Sequence, residues 1–424
     1  MANPLINLQF KPGSSIFHEG ETGDCAYVVE KGRVEISVRR GGVKTVISTI
    51  QPGDIFGEMA IIDGAPRTAT ATAMESTTLT VVTREQLTTR VSEADPVLRW
   101  LFRIILDRMR GGMRSRFGEL FDDSERLAHA ARESGILQSA ALDDIKLEGE
   151  LRRALEEDEF VLYYQPIVDL RHQCVAGFET LIRWQHPKRG LLSPYFFVGV
   201  AERTDLIVPI GRWVVQAACK SHRQLSEAAR QGNPGGLPLF LGVNLSGRQF
   251  SAVNFLESLS ELVSNYQVSP GNLKLEITET MLVDYEAALE WVKRSKAMGF
   301  TVALDDFGTG YSSLSYLNRF DIDTLKVDRS FVISMLEDSR AMAIVESIIT
   351  LARGLGMNVV AEGVEKPEEL QALVDLRCDF GQGYLLARPL PLAEAEALLA
   401  DPGRIPGLFQ GIHLPPGWRD HGTR

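Results

Sequence analysis

The 424-residue sequence has little with which to build a disulfide scaffold, a membrane span or a nucleic-acid surface. Its four cysteines, Cys25, Cys174, Cys219 and Cys378, are scattered with no CxxC pair. That excludes a disulfide framework and points to reduced thiols in a cytoplasmic protein. No apolar run approaches the roughly 18 residues that suggest a bilayer span, and the N-terminus lacks a signal-peptide pattern, so a soluble chain is expected. The most hydrophobic helical pattern, around Leu98–Met109, is broken by Arg99, Arg103, Asp107 and Arg108. A basic excess is also missing: 45 Lys and Arg stand against 56 Asp and Glu, for a net charge of −11. Phosphate backbones are captured by basic surfaces, so nucleic acid is excluded as a bulk partner. Any anionic ligand must then be met locally, by metal ions or by individual arginines. Of the seven histidines, only His186, in RWQHP, lies near a motif, and it reads as structural.

Hydrophobic content of 44% and charged content of 24% are ordinary, so a globular chain is expected, with length for two or three domains. Apolar runs ending in polar residues recur through the C-terminal part: Ala176–Trp184 with Glu179, Leu239–Ser246 with Asn244, and Leu273–Glu279 with Glu276 and Glu279. Thr301–Asp306, Thr324–Asp328, Asn358–Glu365 with Glu362, and Asp379–Leu386 with Gln382 follow. Helical patterns such as Ala287–Met298 and Ala341–Leu355 lie between them. This alternation predicts βα units around a parallel sheet. Strand parity puts Leu273, Leu275 and Ile277 on one face and Lys274, Glu276 and Thr278 on the other. It likewise groups Thr324 with Lys326 and Asp328. An apolar face toward helices and a polar face toward an interior, over about 250 residues, fit a (β/α)8-type barrel with its active site at the C-terminal strand ends.

The densest stretch is Ala303–Phe331, ALDDFGTGYSSLSYLNRFDIDTLKVDRSF. Its apolar run ends in two adjacent carboxylates, Asp305 and Asp306, followed by a turn with Gly308 and Gly310 and a Ser/Tyr/Leu helix. Paired aspartates at a strand end make poor core but a good cation site. Lys326, buried between Leu325 and Val327, can orient a water or offset phosphate charge. Glu179, Asn244, Glu276, Asp305 and Asp306 offer oxygen donors alone, which suits Mg2+ or Mn2+ rather than zinc.

These residues carry a family resemblance. The motifs YQPI (Tyr164–Ile167), Glu179-Thr180-Leu181, NLS (Asn244–Ser246), EITE (Glu276–Glu279), DDFGTGYSSL (Asp305–Leu314), LKVD (Leu325–Asp328), AEGVE (Ala361–Glu365) and QGY (Gln382–Tyr384) stand in order. Residues 144–400 therefore resemble the EAL-type cyclic di-GMP phosphodiesterases. The resemblance implies metal ligands at Glu179, Asn244, Glu276 and Asp305, with Asp306 for a second cation. It places Lys326 by the attacking water, with Glu362, Glu279 and Glu365 as the remaining site carboxylates. Gln165, Leu181, Arg183 and Gln382 match positions that hold or flank substrate. The implied reaction is metal-dependent hydrolysis of cyclic di-GMP to linear pGpG by two cations bridged at Asp305, with either Lys326 or Glu362 as base. The alternative is a receptor that binds cyclic di-GMP without cleaving it. Thr180 replaces the alanine of the signature motif, and Arg319-Phe320-Asp321-Ile322 lacks the proline usual before Asp323. The DDFGTG loop, typically lost in inactive relatives, is whole, which favours an active enzyme.

The first 110 residues read differently. Turn signals at Phe10–Gly13, Glu21–Asp24, Glu30–Gly32, Arg40–Gly42 and Gln51–Asp54 punctuate short strands such as Ala26–Val29, Val34–Val38 and Val43–Ile50. Regular turns at this spacing predict a small β-roll or jelly roll. The segment Phe56–Ala73 then joins Gly57, which allows close backbone approach, to a short helix at Glu58–Ile62 whose amides face an anion. It resembles the phosphate-binding cassette of cyclic-nucleotide-binding domains of the bacterial-regulator type. The implied positions are Gly57, Glu58, Met59, Ala60, Arg67 and Thr68, with Glu58 on the ribose hydroxyl and Arg67 on the cyclic phosphate. Either cAMP or cGMP fits, with cAMP favoured. Residues 111–143 are expected to form a helical linker, with Gly111-Gly112 a possible hinge, through which such domains commonly form homodimers. No DNA-reading helix-turn-helix follows, which argues against a transcription factor. Residues 401–424 are expected to be an irregular tail packed through Phe409 and Trp418.

Overall fold

The structure, a computed structural model, describes residues 7–40, 42–62, 66–83, 142–233, 238–308, 317–401 and 403–418. The expected Leu98–Met109 helix, the linker through residue 141, and the segment 309–316 lie outside the described residues. The chain divides into two compact units, Met1–Leu147 and Glu148–Arg424.

The first unit is a β-roll of two four-stranded sheets. Strands β1 (Asn7–Phe10), β8 (Thr77–Thr83), β3 (Cys25–Lys31) and β6 (Ile55–Phe56) form one sheet. The other contains β2 (Ser15–Phe17), β7 (Thr70–Ala73), β4 (Val34–Arg40) and β5 (Val43–Ile50). All pairings are antiparallel, as short turns allow. A core of Phe17, Tyr27, Val29, Val34, Phe56, Ala71 and Leu79 holds the unit. The Phe17, Tyr27 and Phe56 rings sit 5.5 to 6.1 Å apart. The expected helix is the single turn Met59–Ile62.

The second unit is a closed eight-stranded barrel made of β9 (Phe160–Asp169), β10 (Cys174–His186), β12 (Phe240–Asn244), β13 (Leu273–Thr278), β14 (Thr301–Phe307), β15 (Thr324–Val327), β16 (Asn358–Ala361) and β17 (Phe380–Gly381). Two short strands, β11 (Gly190–Leu192) and β18 (Leu390–Pro391), pair on β10 and β9. From β10 through β17 the barrel pairs are parallel, with crossover helices that include Ile207–Gly232, Tyr285–Ala297 and Ser339–Leu355.

The sheet is not uniformly parallel. Strand β9, which carries the YQPI motif, runs antiparallel to both β10 and β17 and closes the barrel. The connection from β9 to β10 is four residues, far too short for a crossover helix. Asp169 closes that turn, accepting from the Arg171 and His172 amides and pairing with His172 Nδ1 at 2.8 Å.

Strand parity determines what enters the barrel. On β13, Leu273, Leu275 and Ile277 are fully buried among the outer helices, while Lys274 and Glu276 are also buried, at 6% and 1% exposure. Polar groups buried this deeply demand partners, and the next section shows where they find them. At the start of β9, Phe160 packs on Trp184, Phe197 and Trp213 at 5.7 to 6.0 Å. Burial of each such ring contributes on the order of 2–3 kcal/mol. His186 is structural: its Nδ1 accepts from the amides of Lys188 and Arg189 and shapes the turn into β11. Beyond the barrel, the tail makes the turn Arg404–Gly407 and buries Phe409 and Trp418.

Candidate active site

Lys326 is the centre of the barrel's polar interior. It sits on β15, 1% exposed, and its ammonium lies 2.7 Å from Glu276, 2.7 Å from Glu362, 3.2 Å from Asp305 and 3.8 Å from Glu179. The ammonium donates a hydrogen bond to Glu276 Oε2 and is held by the other carboxylates as ion-pair neighbours. Burial opposes the charge, but the surrounding carboxylates outweigh it and hold the Lys326 proton well above the usual lysine range.

The carboxylates respond in different ways. Burial pushes the Glu276 carboxyl up to about 8, against the pull of Lys326. Glu362 is pushed up to about 7 for the same reason, with Asp305 and Glu179 adding repulsion. Burial also works against the Glu179 charge. Lys326 and amide donors from Gln382 and Asn244, each at 2.6 Å, prevail, and the carboxyl is held below the usual range. The Asp306 carboxyl is raised by burial and by Asp305. Its backbone is left-handed, φ 54°, a conformation that a non-glycine residue adopts at an energetic cost and that clusters at functional sites.

The interior suits a hard divalent cation. Ligand oxygens of Asp305, Asp306 and Glu362 lie within 4.8 Å of one another. Glu276 Oε1 is buried without a hydrogen-bond partner, a costly state that a cation would relieve. Asn244 turns its amide nitrogen to Glu179, leaving the amide oxygen as its remaining donor atom. Together with Glu179, this is an all-oxygen set of the kind Mg2+ and Mn2+ prefer.

Glu279 and Glu365 do not join the cluster around Lys326. Glu279 accepts from the Gly308 amide at 3.2 Å and so anchors the loop leaving Asp306. Glu365 pairs with Arg329 at 2.7 Å. Around the mouth, Gln382 bridges Glu179 and Gln165, while the Arg183 guanidinium lies 5.6 Å from the Tyr163 ring centroid. Leu181 is half-buried on β10 between Glu179 and Arg183.

Two contributors escape a motif reading. Gly242, paired in register with Glu179 and Lys274, leaves the space that Glu276 fills: a Cβ there would lie 2.0 Å from Glu276 Oε1. A glycine inside the strand run LGVN is the signal. Lys274 sits two residues before Glu276 on the same face, donates to Thr324 Oγ1 at 2.9 Å and lies 4.0 Å from the Phe240 ring centroid. Burial pushes its ammonium down to about 8. The period-two pattern of β13 already marked it as inward.

In the first unit, Arg67 is 4% exposed. It donates to the carbonyls of Gly57 at 2.6 Å and Cys25 at 2.7 Å, and stacks 4.2 Å from the Phe17 ring centroid. Its Nε is buried without a partner. Gly57 is left-handed at φ 78°, and a Cβ there would lie 2.7 Å from the guanidinium. Gly23, a turn residue in the sequence, meets the same constraint, at 2.7 Å from Arg67 Cζ. Glu58, Met59 and Thr68 are half-buried and Ala60 is buried around this arginine's segment.

Residues 148–389 match the model of the EAL domain, and residues 7–93 match that of the cyclic nucleotide-binding domain. The chain belongs to the EAL domain family. This EAL protein is 40% identical over 265 residues to MucR of Pseudomonas aeruginosa, described as a bifunctional diguanylate cyclase/cyclic di-GMP phosphodiesterase; the match covers 62% of this chain and 37% of MucR. It is 38% identical over 260 residues to the cyclic di-GMP phosphodiesterase NbdA of the same organism, covering 61% of this chain and 32% of NbdA. The EAL protein thus spans about a third of the length of the curated relatives it matches. Among solved structures, the EAL enzyme Bd1971 in a cGMP-bound form is 37% identical with a TM-score of 0.72, covering 93% of this chain and all of that one. Bd1971 has also been solved with cAMP and with cAMP and cyclic di-GMP together. The front unit is therefore a cyclic nucleotide-binding domain joined to an EAL barrel.

Proposed function

We propose that the chain is a metal-dependent phosphodiesterase that opens one phosphodiester of cyclic di-GMP to give linear pGpG, its activity set by a cyclic mononucleotide, cAMP ahead of cGMP, at the front unit. The observation that carries this reading is the all-oxygen cluster Glu179, Asn244, Glu276, Asp305, Asp306 and Glu362 gathered at Lys326. When bound there, Mg2+ or Mn2+, two ions in this proposal, would supply Lewis acidity and shield charge on the phosphoryl oxygens.

The chain's own residues do the rest. Glu362, with its carboxyl pushed up to about 7, is matched to taking a proton from water near neutral pH. Lys326 can donate to that water with an ammonium proton not spent on Glu276, and Asp305, at 3.2 Å, is the looser of its close ion-pair neighbours. Arg183, Leu181, Gln165 and Gln382 form the mouth that would orient the dinucleotide. At the front unit, Arg67, whose Nε has no partner, would meet a cyclic phosphate, with Glu58 toward the ribose. A homodimer is part of the same proposal, and light scattering of the full chain reads it.

The test is cyclic di-GMP turnover with Mg2+ or Mn2+, without effector, with saturating cAMP and with saturating cGMP. The expected result is pGpG formation that changes with one mononucleotide, by roughly 5- to 150-fold for a coupling of ordinary size. Turnover indifferent to both would remove the regulatory half of the proposal. Binding without turnover in any metal would replace the enzyme by a cyclic di-GMP receptor.

A further inference from the structure

The rim segment Gln382–Arg388 grows directly out of the active site. Gln382 holds Glu179 at 2.6 Å. The next residue, Gly383, lies so close to the Val364 backbone that a Cβ would approach it to 2.2 Å. The Leu385 amide donates to the Val364 carbonyl at 3.0 Å, the Ala387 amide to the Gly383 carbonyl at 3.0 Å, and the Ala387 carbonyl faces Gln165 Nε2 at 3.5 Å. The segment is therefore fixed to the barrel at both ends.

It presents two exposed side chains as a unit. The Arg388 guanidinium carbon lies 4.3 Å from the centroid of the Tyr384 ring, and that ring is 47% exposed. Among the described residues no carboxylate pairs with Arg388, although the chain carries a net charge of −11. Tyr384 thus carries a guanidinium against its ring and stays open to solvent.

We propose that Arg388, stacked on Tyr384, is a substrate-binding residue that grips the half of a cyclic dinucleotide remote from the reacting phosphodiester, and so selects cyclic dinucleotides over smaller diesters. The inference rests on the hydrolase reading above. Such a substrate has two phosphates and two purines. One phosphate belongs at the oxygen cluster; the other needs a cation that the cluster does not offer. A guanidinium lying flat on an aromatic ring keeps its edge N–H groups for phosphate oxygens or for the acceptor edge of guanine. The exposed tyrosine face adds a surface on which a base can stack.

The experiment uses the full chain with Arg388→Ala, Arg388→Lys and Tyr384→Ala, each checked for an unchanged melting transition. With Mn2+, Arg388→Ala should raise KM for cyclic di-GMP about tenfold with kcat within about twofold, the loss of one charge-assisted contact made equally in ground and transition states. Arg388→Lys should recover only part of this, because an ammonium keeps the charge but not the planar stack. Hydrolysis of bis(p-nitrophenyl) phosphate, too small to reach the rim, should be unchanged in all three. An unaltered KM for cyclic di-GMP in Arg388→Ala overturns the proposal, as do equal losses on both substrates. If the wild-type chain cleaves no cyclic di-GMP, the hydrolase reading falls separately, and titration of cyclic di-GMP in Ca2+ decides this one. There, about tenfold weaker binding by Arg388→Ala supports the rim, whereas equal affinities, or no binding by the wild type, overturn it.

Discussion

Replacing Glu276 by glutamine should make the metal-free barrel more stable in alkaline solution while removing its capacity to work. The carboxyl of Glu276 is fully enclosed and its ordinary value near 4.5 is displaced to about 8. Because the folded value lies above the unfolded one, the protonated form is the one the fold favours. The associated stability is fully present below about pH 4.5 and is lost as pH rises through about 8. A displacement of this size corresponds to roughly 5 kcal/mol at about 1.4 kcal/mol per pKa unit. Glutamine escapes that loss, and the attraction of Lys326 for the ionised carboxylate is already contained in the displaced value. The net expectation is a gain of about 4 kcal/mol at pH 8.5 relative to pH 5. Glu362 titrates in both proteins, so a shallower pH slope persists in the variant. Urea unfolding in a chelator, followed by tryptophan fluorescence, is dominated by the barrel, since four of the five tryptophans, Trp184, Trp213, Trp291 and Trp418, lie in the second unit and Trp100 alone in the first. Parallel stability curves for wild type and variant from pH 5 to 8.5 would refute the reasoning.

Gly242→Ala should expel the Glu276 carboxylate from its place, because the added methyl would lie 2.0 Å from Oε1; the expected result is at least a hundredfold loss of turnover by roughly 3 kcal/mol of misplacement, with Mn2+ binding by calorimetry weakened in step. Thr180→Ala restores the residue usual in the signature motif but removes a buried 2.7 Å hydrogen bond to the Gly242 carbonyl. It should lower unfolding stability by about 1 kcal/mol without changing kcat, and a loss of activity would show that the hydroxyl does more than brace β10 against β12. Arg67→Ala should weaken cyclic mononucleotide binding about 10- to 100-fold, the worth of hydrogen bonds to a charged group, and should leave cyclic di-GMP turnover indifferent to cAMP and cGMP. A variant that still responds would place the sensor elsewhere.

The barrel was legible because its strands alternate in chemistry as well as in polarity. The face that carries Lys274 and Glu276, and the one that carries Lys326, could only be interior or solvent, and the density of carboxylates at strand ends made the interior the better choice. Strand β9 was the exception. YQPI carries a proline and a glutamine, and nothing in its pattern announces that it pairs antiparallel; that follows from the short turn at Asp169, which sequence periodicity does not weigh. Glu279 and Glu365 show the other limit. Their positions in EITE and AEGVE associate them with the site, but only geometry distinguishes a carboxylate facing Lys326 from one spent on the Gly308 amide or on Arg329. Gly242 and Gly23 were missed for a related reason: a glycine's contribution is the atom it lacks, and its value depends on which neighbour fills the space.

The same geometry explains why so polar a core can persist. Once Glu276 and Glu362 ionise, four carboxylates around one ammonium leave the barrel with more negative charge than Lys326 can balance. Lys274, one layer below, adds a second positive charge, and burial has already pushed that one down to about 8. A core optimised for stability would replace such groups with apolar residues of similar volume, often at no loss. Here the charge imbalance, the orphaned Glu276 oxygen and the strained Asp306 backbone all converge on one spot. The charge imbalance and the orphaned oxygen are relieved together by added positive charge among those oxygens. The stability given up in the metal-free fold is therefore a measure of the affinity held ready for a cation, and Glu276→Gln should lower both quantities at once. A variant that gained stability yet kept wild-type Mn2+ affinity would separate them and break the argument.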